Sequence, residues 1–123
     1  MPRTVAVIGA SSHRHKYGNK AVRAFTQRGF TVYAINPNER VVEGLTTYAS
    51  VLDVPGPIDM ATVYVQPDVG VKVMEQLAQK GVPEVWLNPG ADDDEVVARA
   101  RELGLKTVQA CSIMGMGDSP SRY

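Results

Sequence analysis

A turn of small residues, Gly9–Ser12, joins a short apolar run to four consecutive side chains that can carry positive charge, His13–Lys16. Small residues let backbone amides approach a ligand closely, and the amides at the start of a helix attract anions. Serine hydroxyls in the turn add hydrogen-bond donors, and Lys16 adds a mobile cation. The chemistry predicted here is the binding of a phosphate or diphosphate, by Gly9, Ala10, Ser11, Ser12, Lys16 and Gly18.

This loop differs from the usual dinucleotide-binding motif. It lacks the second glycine of the pattern G-x-G-x-x-G, and it is longer. The alternative is that Gly9 serves only the turn between a strand and a helix. His13 and His15 are interpreted as surface residues rather than metal ligands, because no cysteine or carboxylate lies near them in the sequence.

The end of the second apolar run bears on which nucleotide would be bound. NAD-binding domains place an acidic residue there to hold the ribose hydroxyls, whereas this chain has Asn36 followed by Pro37. An amide side chain does not repel phosphate, and Arg40 follows within a few residues, so the pattern favours a phosphorylated ribose. Glu39 lies between them and weakens this argument. The alternative is that residues 36–38 form a plain turn.

Two further apolar runs each end in a polar residue followed by proline, at Gln66-Pro67 and at Asn88-Pro89-Gly90. Proline removes an amide donor and fixes the backbone. Each segment therefore predicts a rigid, partly apolar wall on which an adenine or a thin pantetheine chain can lie. A turn alone would explain either segment separately, but both are predicted at the same edge of the molecule.

The segments above follow short runs rich in valine and isoleucine, which predict strands. Near-continuous apolar character, rather than alternation, indicates strands that are covered on both faces and therefore a parallel sheet. Helical spacing begins at Gly18, near Pro67 and after Asp92–Glu95, where the acidic run resembles a helix cap. The predicted strands are Thr4–Ile8, Thr31–Ile35, Met60–Val65, Val82–Leu87 and a weaker Lys106–Gln109.

Alternating strands and helices predict a doubly wound, Rossmann-like α/β domain, with five mostly parallel strands and helices on both faces. The exception is 36–59, predicted as an irregular link with one turn near 50–53. Ligands bind beyond the carboxyl ends of such strands, so the candidate segments should gather at one edge. We assign 1–114 to this single domain and predict that 115–123, with few apolar residues, is a mobile tail.

Composition narrows the classes of function. The 13 Lys and Arg balance 13 Asp and Glu, so there is no bulk positive field for nucleic acid. No apolar run approaches the ~20 residues of a membrane span, and no signal-peptide pattern is present. We therefore expect a cytoplasmic protein without nucleic-acid or membrane partners. The one cysteine, Cys111, excludes an internal disulfide and a multi-cysteine metal site, and is either a packing residue or a solitary reactive group.

Five segments occur in the order VIGASS, VYAINPN, DMATVYVQP, EVWLNPGA and VQACS. Together they resemble the CoA-binding family of small Rossmann-like proteins, which is similar in turn to the N-terminal CoA-binding domain of the succinyl-CoA synthetase α subunit. The resemblance covers about Pro2–Ile113. It implies that coenzyme A is the ligand, with its diphosphate at Gly9–Ser12 and with Lys16 close to phosphate.

The resemblance also implies roles for the other strand ends. Asn36 and Pro37 would border the adenosine portion. The chain departs from many relatives at 88–90, where they read Gln-Leu-Gly, and at 109–110, where they read Asp-Arg. Val65, Gln66 and Pro67 would flank the ligand, and Asn88, Pro89 and Gly90 would line the pantetheine route toward Cys111.

These patterns predict a non-catalytic protein that binds coenzyme A or an acyl-CoA and acts as a carrier, sensor or subunit. We expect synthetase catalysis to be absent, because it needs further domains and no Ser/His/Asp or Cys/His spacing is recoverable here. Expected partners are a second copy or an acyl-CoA enzyme. Three alternatives stay open: an NAD(P)-binding redox sensor or oxidoreductase domain, thiol exchange between Cys111 and coenzyme A, and a scaffold that has lost its ligand.

Overall fold

The computed structural model describes residues 3–123. Seven strands and four helices follow one another, with single 3₁₀ turns at Val51–Asp53 and Pro120–Arg122. In chain order they are β1 (Thr4–Ile8), α1 (Tyr17–Gln27), β2 (Thr31–Ile35), β3 (Val41–Val42), β4 (Leu45–Thr46), β5 (Met60–Val63), α2 (Pro67–Lys80), β6 (Val85–Leu87), α3 (Asp94–Glu102), β7 (Thr107–Gln109) and α4 (Ser112–Gly115).

The main sheet has five strands in the order β2-β1-β5-β6-β7, and each neighbouring pair runs parallel. This arrangement confirms the predicted Rossmann-like α/β fold. The chain leaves β1 toward β2 on one side and later crosses to β5 on the other. The strand order therefore reverses at β1, and a crevice opens there beyond the carboxyl ends of the strands.

The two faces of β1 show why its sequence is apolar without alternation. Val5 and Val7 pack with Phe25 on the face covered by α1, whereas Ala6 and Ile8 pack on the face covered by α2 and α3. All five side chains are almost fully buried. Helices cover both faces of the sheet, as the continuous apolar run predicts.

The link between β2 and β5 contains more structure than its sequence predicts. The expected turn near 50–53 is the 3₁₀ turn at Val51–Asp53, capped by the hydroxyl of Ser50. In addition, β3 and β4 form a short antiparallel hairpin whose turn, Glu43-Gly44, has positive φ at both residues. Strands of two residues leave no periodic signal. Tyr48 ties the link to β2, because its amide donates to the Ala34 carbonyl at 2.9 Å.

Two predicted strands are longer than the observed ones. The run from Met60 forms a strand only as far as Val63, and the run from Val82 enters the sheet only at Val85. Val82 instead belongs to the turn after α2, where its amide donates to the Leu77 carbonyl at 3.1 Å. Within residues 3–123, the structure contains no helix with both the length and the apolar character needed to cross a membrane.

The C-terminal segment, predicted to be a mobile tail, lies against α1 in the structure. It is held by the carboxylate of Asp118, whose side chain is 1% exposed. That carboxylate pairs with Arg28, the residue that follows α1, at 3.5 Å and with Arg122 at 2.9 Å, and it accepts from the Tyr123 hydroxyl at 2.6 Å. Met116 and Tyr123 also pack against the core on the α1 face, so polar pairing and apolar contact together hold the segment. Composition could not indicate this arrangement, because the segment contains few apolar residues.

This cluster predicts an acid-sensitive contribution to stability. The hydrogen bond from Tyr123, helped by Ser119 and Arg122, lowers the pKa of Asp118 from 3.8 to about 2. A carboxyl group with a lowered folded-state pKa stabilises the fold above its ordinary pKa, and this contribution disappears as the pH falls from about 4 toward about 2. Thermal unfolding followed between pH 7 and pH 2 should therefore show a smaller loss of Tm on acidification for Asp118→Asn than for the unmodified chain.

The control for this prediction is Asp94→Asn, because Asp94 is exposed on α3 and makes no ion pair within residues 3–123. Its acid profile should follow that of the unmodified chain. Identical profiles for Asp118→Asn and the unmodified chain would show that the Asp118 cluster does not stabilise the fold.

Candidate functional site

A cleft of about 1210 Å³ lies beyond the carboxyl ends of β1, β2, β5 and β6, at the position where the strand order reverses. The first turns of α1 and α2 form its sides. We call this cavity the main cleft. Of the residues singled out from the sequence, those that line it are Gly9, Ser11, Lys16, Gly18, Asn36, Pro37, Val65, Gln66, Pro89 and Gly90.

The turn after β1 is shaped by two glycines that approach each other closely. Gly9 has a φ of +91°, in the region that side chains rarely adopt. A Cβ placed on Gly18, at the start of α1, would lie 2.1 Å from the Gly9 carbonyl oxygen. The helix therefore begins directly against the turn, and only glycine at position 18 allows this contact.

Some amides of this loop are already bonded inside the protein. Those of Gly9 and Ala10 donate to the Ile35 carbonyl, at 3.0 and 3.3 Å, and thereby join the loop to β2. The first amides of a helix have no partner within the helix. Tyr17 and Gly18, which both line the main cleft, are therefore the amides that α1 offers to an anion.

The loop is braced from behind by Asn19 and Arg23 of α1, two residues that the sequence did not single out. Asn19 is fully buried, and its side-chain amide donates to the Ser11 carbonyl at 2.8 Å. Arg23 donates to the Asn19 side-chain oxygen at 2.7 Å and to the Arg14 carbonyl at 2.8 Å. These contacts hold the loop in its turn. The sequence did not indicate them, because Asn19 and Arg23 look like ordinary polar residues of a helix.

The positive charge of the main cleft comes from both of its sides. Lys16, a predicted site residue, lines it from the loop beside His13 and His15, and Lys72 of α2 lines it from the opposite side. Arg40 lines neither cavity described here, since it is exposed where the chain turns into β3. The second cation that lines the main cleft is therefore Lys72, which sequence reasoning missed, rather than Arg40.

Three other predicted site residues also lie outside the linings of the two cavities. Ala10 is buried in the core beneath the loop. Ser12 is exposed and donates its backbone amide to Glu39, which lines the main cleft, and Pro67 is the first residue of α2.

Asn36 connects the end of β2 to the loop between β1 and α1. Its side-chain amide donates to the Ala10 carbonyl at 2.8 Å, and its side-chain oxygen accepts from the Asn38 amide at 2.8 Å. The plain turn considered for 36–38 is therefore present, and it also forms part of the cleft wall. Both polar groups of the Asn36 side chain are hydrogen-bonded inside the protein. Asn36 would therefore affect ligand binding by shaping the cleft wall rather than by bonding to the ligand.

A smaller cavity of about 270 Å³ adjoins the main cleft. Tyr17, Tyr64 and Pro89 line both spaces, so the two cavities are neighbours. We call it the distal cavity. It brings together two residues that the sequence placed on one route, Asn88 and Cys111, and its remaining lining residues are Met114 and Pro120.

A closed set of hydrogen bonds lies beneath the distal cavity. The Ser112 hydroxyl bonds to those of Thr62 at 2.7 Å and Tyr64 at 3.2 Å. Asn88, 2% exposed, donates to the Thr62 hydroxyl at 2.7 Å and accepts from the Ser112 amide at 2.9 Å. Burial raises the pKa of Tyr64, so its side chain stays a neutral phenol. The Thr62, Tyr64 and Ser112 roles were not predicted, because the strands and turns that carry them meet only in three dimensions.

The described residues hold no group of three or more His, Cys, Asp or Glu side chains that could bind a metal ion. The rings of His13 and His15 lie 6.0 Å apart, tilted by 55°. Both histidines line the main cleft.

The fold and the position of the cleft define a Rossmann-like α/β domain. Among known protein families, the one described as the CoA binding domain matches residues 3–118. The chain belongs to that family, and the resemblance seen in the sequence is confirmed.

Several curated relatives are larger enzymes. The chain is 32% identical to the ADP-forming acetate–CoA ligase I of Archaeoglobus fulgidus, over 87% of this chain and 17% of the ligase. It is 34% identical to the α subunit of the ADP-forming acetate–CoA ligase II of Pyrococcus furiosus, over 87% of this chain and 26% of that subunit. The chain thus spans about a sixth to a quarter of these relatives.

Solved structures show the same fold at the scale of this chain. A conserved hypothetical protein from Pyrococcus furiosus superposes with a TM-score of 0.84 and 31% identity, over 92% of this chain and 98% of that one. The apo form of a dinucleotide-forming acetyl-coenzyme A synthetase 1 from Ca. Korarchaeum cryptofilum superposes with a TM-score of 0.75 and 29% identity, over 89% and 26%.

Proposed function

We propose that this chain binds coenzyme A, or an acyl-CoA, in the main cleft and catalyses no reaction alone. One observation carries the proposal: a cleft with a cationic loop and a smaller, partly apolar cavity lie side by side, with Tyr17, Tyr64 and Pro89 lining both. Coenzyme A has the matching layout, with a phosphorylated nucleotide at one end and a thin pantetheine arm ending in a thiol at the other. Membership of the CoA binding domain family supports the same ligand.

The nucleotide end is assigned to the part of the cleft between the loop and α2. The amides of Tyr17 and Gly18 and the ammonium group of Lys16 would hold the diphosphate, with the Ser12 amide of the turn as a further donor. The adenine would lie between Pro37 and the apolar side of α2 at Val69, a wall that the sequence predicted in part. A ribose phosphate would then lie within reach of the cations on both sides of the cleft.

The pantetheine arm is assigned to the passage between the two cavities. Tyr64 and Pro89 line both spaces and so form its walls. The arm would end in the distal cavity, beside Cys111 and Met114. This assignment supports the route toward Cys111 that the family resemblance implies.

A non-catalytic role is supported by the state of the polar groups near the thiol end. Asn88, Thr62 and Ser112 bond to one another, and among the described residues no buried side-chain nitrogen or oxygen lacks a partner. The relatives named as ligases are several times longer than this chain. We therefore propose that it presents coenzyme A to an acyl-CoA enzyme, as a subunit or carrier.

The nucleotide specificity provides the first test. In isothermal titration calorimetry, coenzyme A should bind more tightly than dephospho-CoA, NAD or NADP, because the cleft carries cations on two sides and apolar walls along the arm. Equal affinity for coenzyme A and dephospho-CoA would contradict the cationic pocket. If NAD bound more tightly than coenzyme A, the chain would be an NAD(P)-binding domain instead.

A charge reversal in the loop tests the location. Lys16→Glu should weaken coenzyme A binding by about tenfold, since it replaces an attractive charge beside the diphosphate with a repulsive one. Lys106→Glu is the matched control, because Lys106 precedes β7 and so lies at the opposite end of the sheet from the cleft. An equal loss in both variants would place the ligand elsewhere.

Thiol exchange between Cys111 and coenzyme A stays a prediction with its own measurement. Cys111 is partly exposed and lines the distal cavity, in which the coenzyme thiol is proposed to lie. Incubation with coenzyme A disulfide would add one coenzyme A to the intact mass and release one coenzyme A thiol. An unchanged mass would exclude this reaction.

A further inference from the structure

The β3–β4 hairpin presents two carboxylates to the phosphate loop. Glu39, just before β3, accepts a hydrogen bond from the Ser12 backbone amide at 2.7 Å. Glu43, at the tip, accepts from the Asn19 side chain at 3.0 Å and from Arg14 at 3.3 Å. The two contacts differ in kind. Glu43 meets side chains, whereas Glu39 meets a main-chain donor of the loop that is predicted to bind phosphate.

The position of Glu39 is fixed by its own backbone. Its carbonyl accepts from the Thr47 hydroxyl, and its amide donates to the Asn36 carbonyl at 3.4 Å. The Thr47 amide donates to the neighbouring Arg40 carbonyl at 3.1 Å. The hairpin and the turn after β2 therefore hold Glu39 at the rim of the main cleft, which its side chain helps to line.

Glu39 is an anion in this position. The hydrogen bond from the Ser12 amide holds its pKa below the ordinary value, and the charges of His13 and Lys16 lower it further. The carboxylate thus occupies a loop donor in the way that a phosphate oxygen would. One amide hydrogen makes one strong bond at a time, so the two anions exclude each other there.

We propose that Glu39 is a resident competitor of the ligand, which must be displaced from the Ser12 amide before a diphosphate is fully bound by the loop. A contact present only in the empty state reduces the apparent affinity of every ligand that uses the same donor, and leaves other ligands unaffected. The inference rests on the proposed function for the identity of the natural ligand. It requires only that the ligand carries a diphosphate.

Inorganic pyrophosphate is the probe, because it carries the diphosphate without nucleotide or pantetheine. Glu39→Ala should bind it more tightly than the unmodified chain by about threefold to tenfold, the range expected for loss of one competing charge-assisted bond. Glu39→Gln, which keeps an oxygen acceptor but removes the charge, should fall between them. Affinity for adenosine, which has no anion, should not change in either variant.

Glu43→Gln is the matched control for charge. It removes one negative charge from the same hairpin and leaves the Ser12 contact in place. Its affinity for pyrophosphate should stay within about twofold of the unmodified chain, because Debye screening weakens charge effects that do not involve a direct contact. Thermal unfolding of all variants verifies that the loop is compared in folded proteins.

Several results would overturn the proposal. Weaker pyrophosphate binding by Glu39→Ala would show that Glu39 helps to bind the ligand. An equal increase in pyrophosphate affinity in Glu43→Gln would show that the effect depends only on net charge. Absence of pyrophosphate binding in every variant would exclude an anion site in the loop. The proposed function fails separately. If Glu39→Ala binds pyrophosphate more tightly but the protein does not bind coenzyme A, Glu39 is a competitor and coenzyme A is not the ligand. If the protein binds coenzyme A but Glu39→Ala shows no tighter pyrophosphate binding, coenzyme A is a ligand and Glu39 is not a competitor.

Discussion

Replacing Gly18 by alanine is expected to weaken coenzyme A binding by about tenfold to a hundredfold, as overpacking at a cost of about 1–3 kcal/mol distorts the loop. The added Cβ would lie 2.1 Å from the Gly9 carbonyl oxygen and 3.1 Å from its carbon. Both are backbone atoms, so no side-chain rotation can relieve the contact. Either α1 or the turn after β1 must move, and both supply the amides assigned to the diphosphate.

The same substitution should lower the free energy of unfolding by about 1–3 kcal/mol, measured by urea denaturation. Its control is Gly70→Ala, a second buried glycine within a helix. There the added Cβ would lie 3.0 Å from Cγ2 of Val96, an atom at the end of a side chain. That variant should bind coenzyme A normally. Unaltered affinity in Gly18→Ala would show that the close approach of helix and loop does not form the binding site.

The turn after β1 and the sheet were predictable because their signals are local. The residue types at 4–12 specify a buried strand, a tight turn and a helix start within one short stretch. Parallel strands place their carboxyl ends at one edge, so the positions of the later strand ends followed from the fold class. The structure places ten of these predicted residues in the main cleft, beginning with Gly9 and ending with Gly90.

The directions of individual side chains in the irregular link were not predictable in this way. Arg40 and Glu39 are adjacent in the sequence, yet only Glu39 lines the main cleft. The difference arises from the β3–β4 hairpin, whose two-residue strands carry no periodic pattern. Lys72 was missed for the opposite reason, since it occupies an ordinary exposed position of α2 and only the packing of α2 beside the cleft gives it a role.

Contacts between distant parts of the chain account for the rest. Asp118 is paired with Arg28, and Asn88 with Thr62, across intervals that a single sequence cannot connect. In the case of Asn88 the strand-end position was identified, and the family resemblance implies that it lines the pantetheine route, which stays a prediction. The structure uses its polar atoms within the protein, where they join β5, β6 and α4.

Asn88→Ala is therefore expected to act first on stability, lowering the free energy of unfolding by about 2–4 kcal/mol. The side chain is 2% exposed and makes three hydrogen bonds, to the Thr62 hydroxyl, the Val63 carbonyl and the Ser112 amide. Alanine would leave the Ser112 amide without its acceptor in a buried setting. The cost of a buried donor without a partner exceeds the net gain from an ordinary hydrogen bond, which makes the expected effect large.

Urea denaturation of Asn88→Ala, Thr62→Val and the double variant measures how far the network acts as a unit. Because Asn88 and Thr62 bond to each other at 2.7 Å, the double variant should lose less stability than the sum of the single variants. Asn38→Ala, at an exposed position, should change stability by less than about 0.5 kcal/mol. If the losses of unfolding free energy in the two single variants added up to the loss in the double variant, the two side chains would stabilise the fold independently. Pyrophosphate should bind Asn88→Ala with unchanged affinity, because Asn88 lines the distal cavity and not the main cleft.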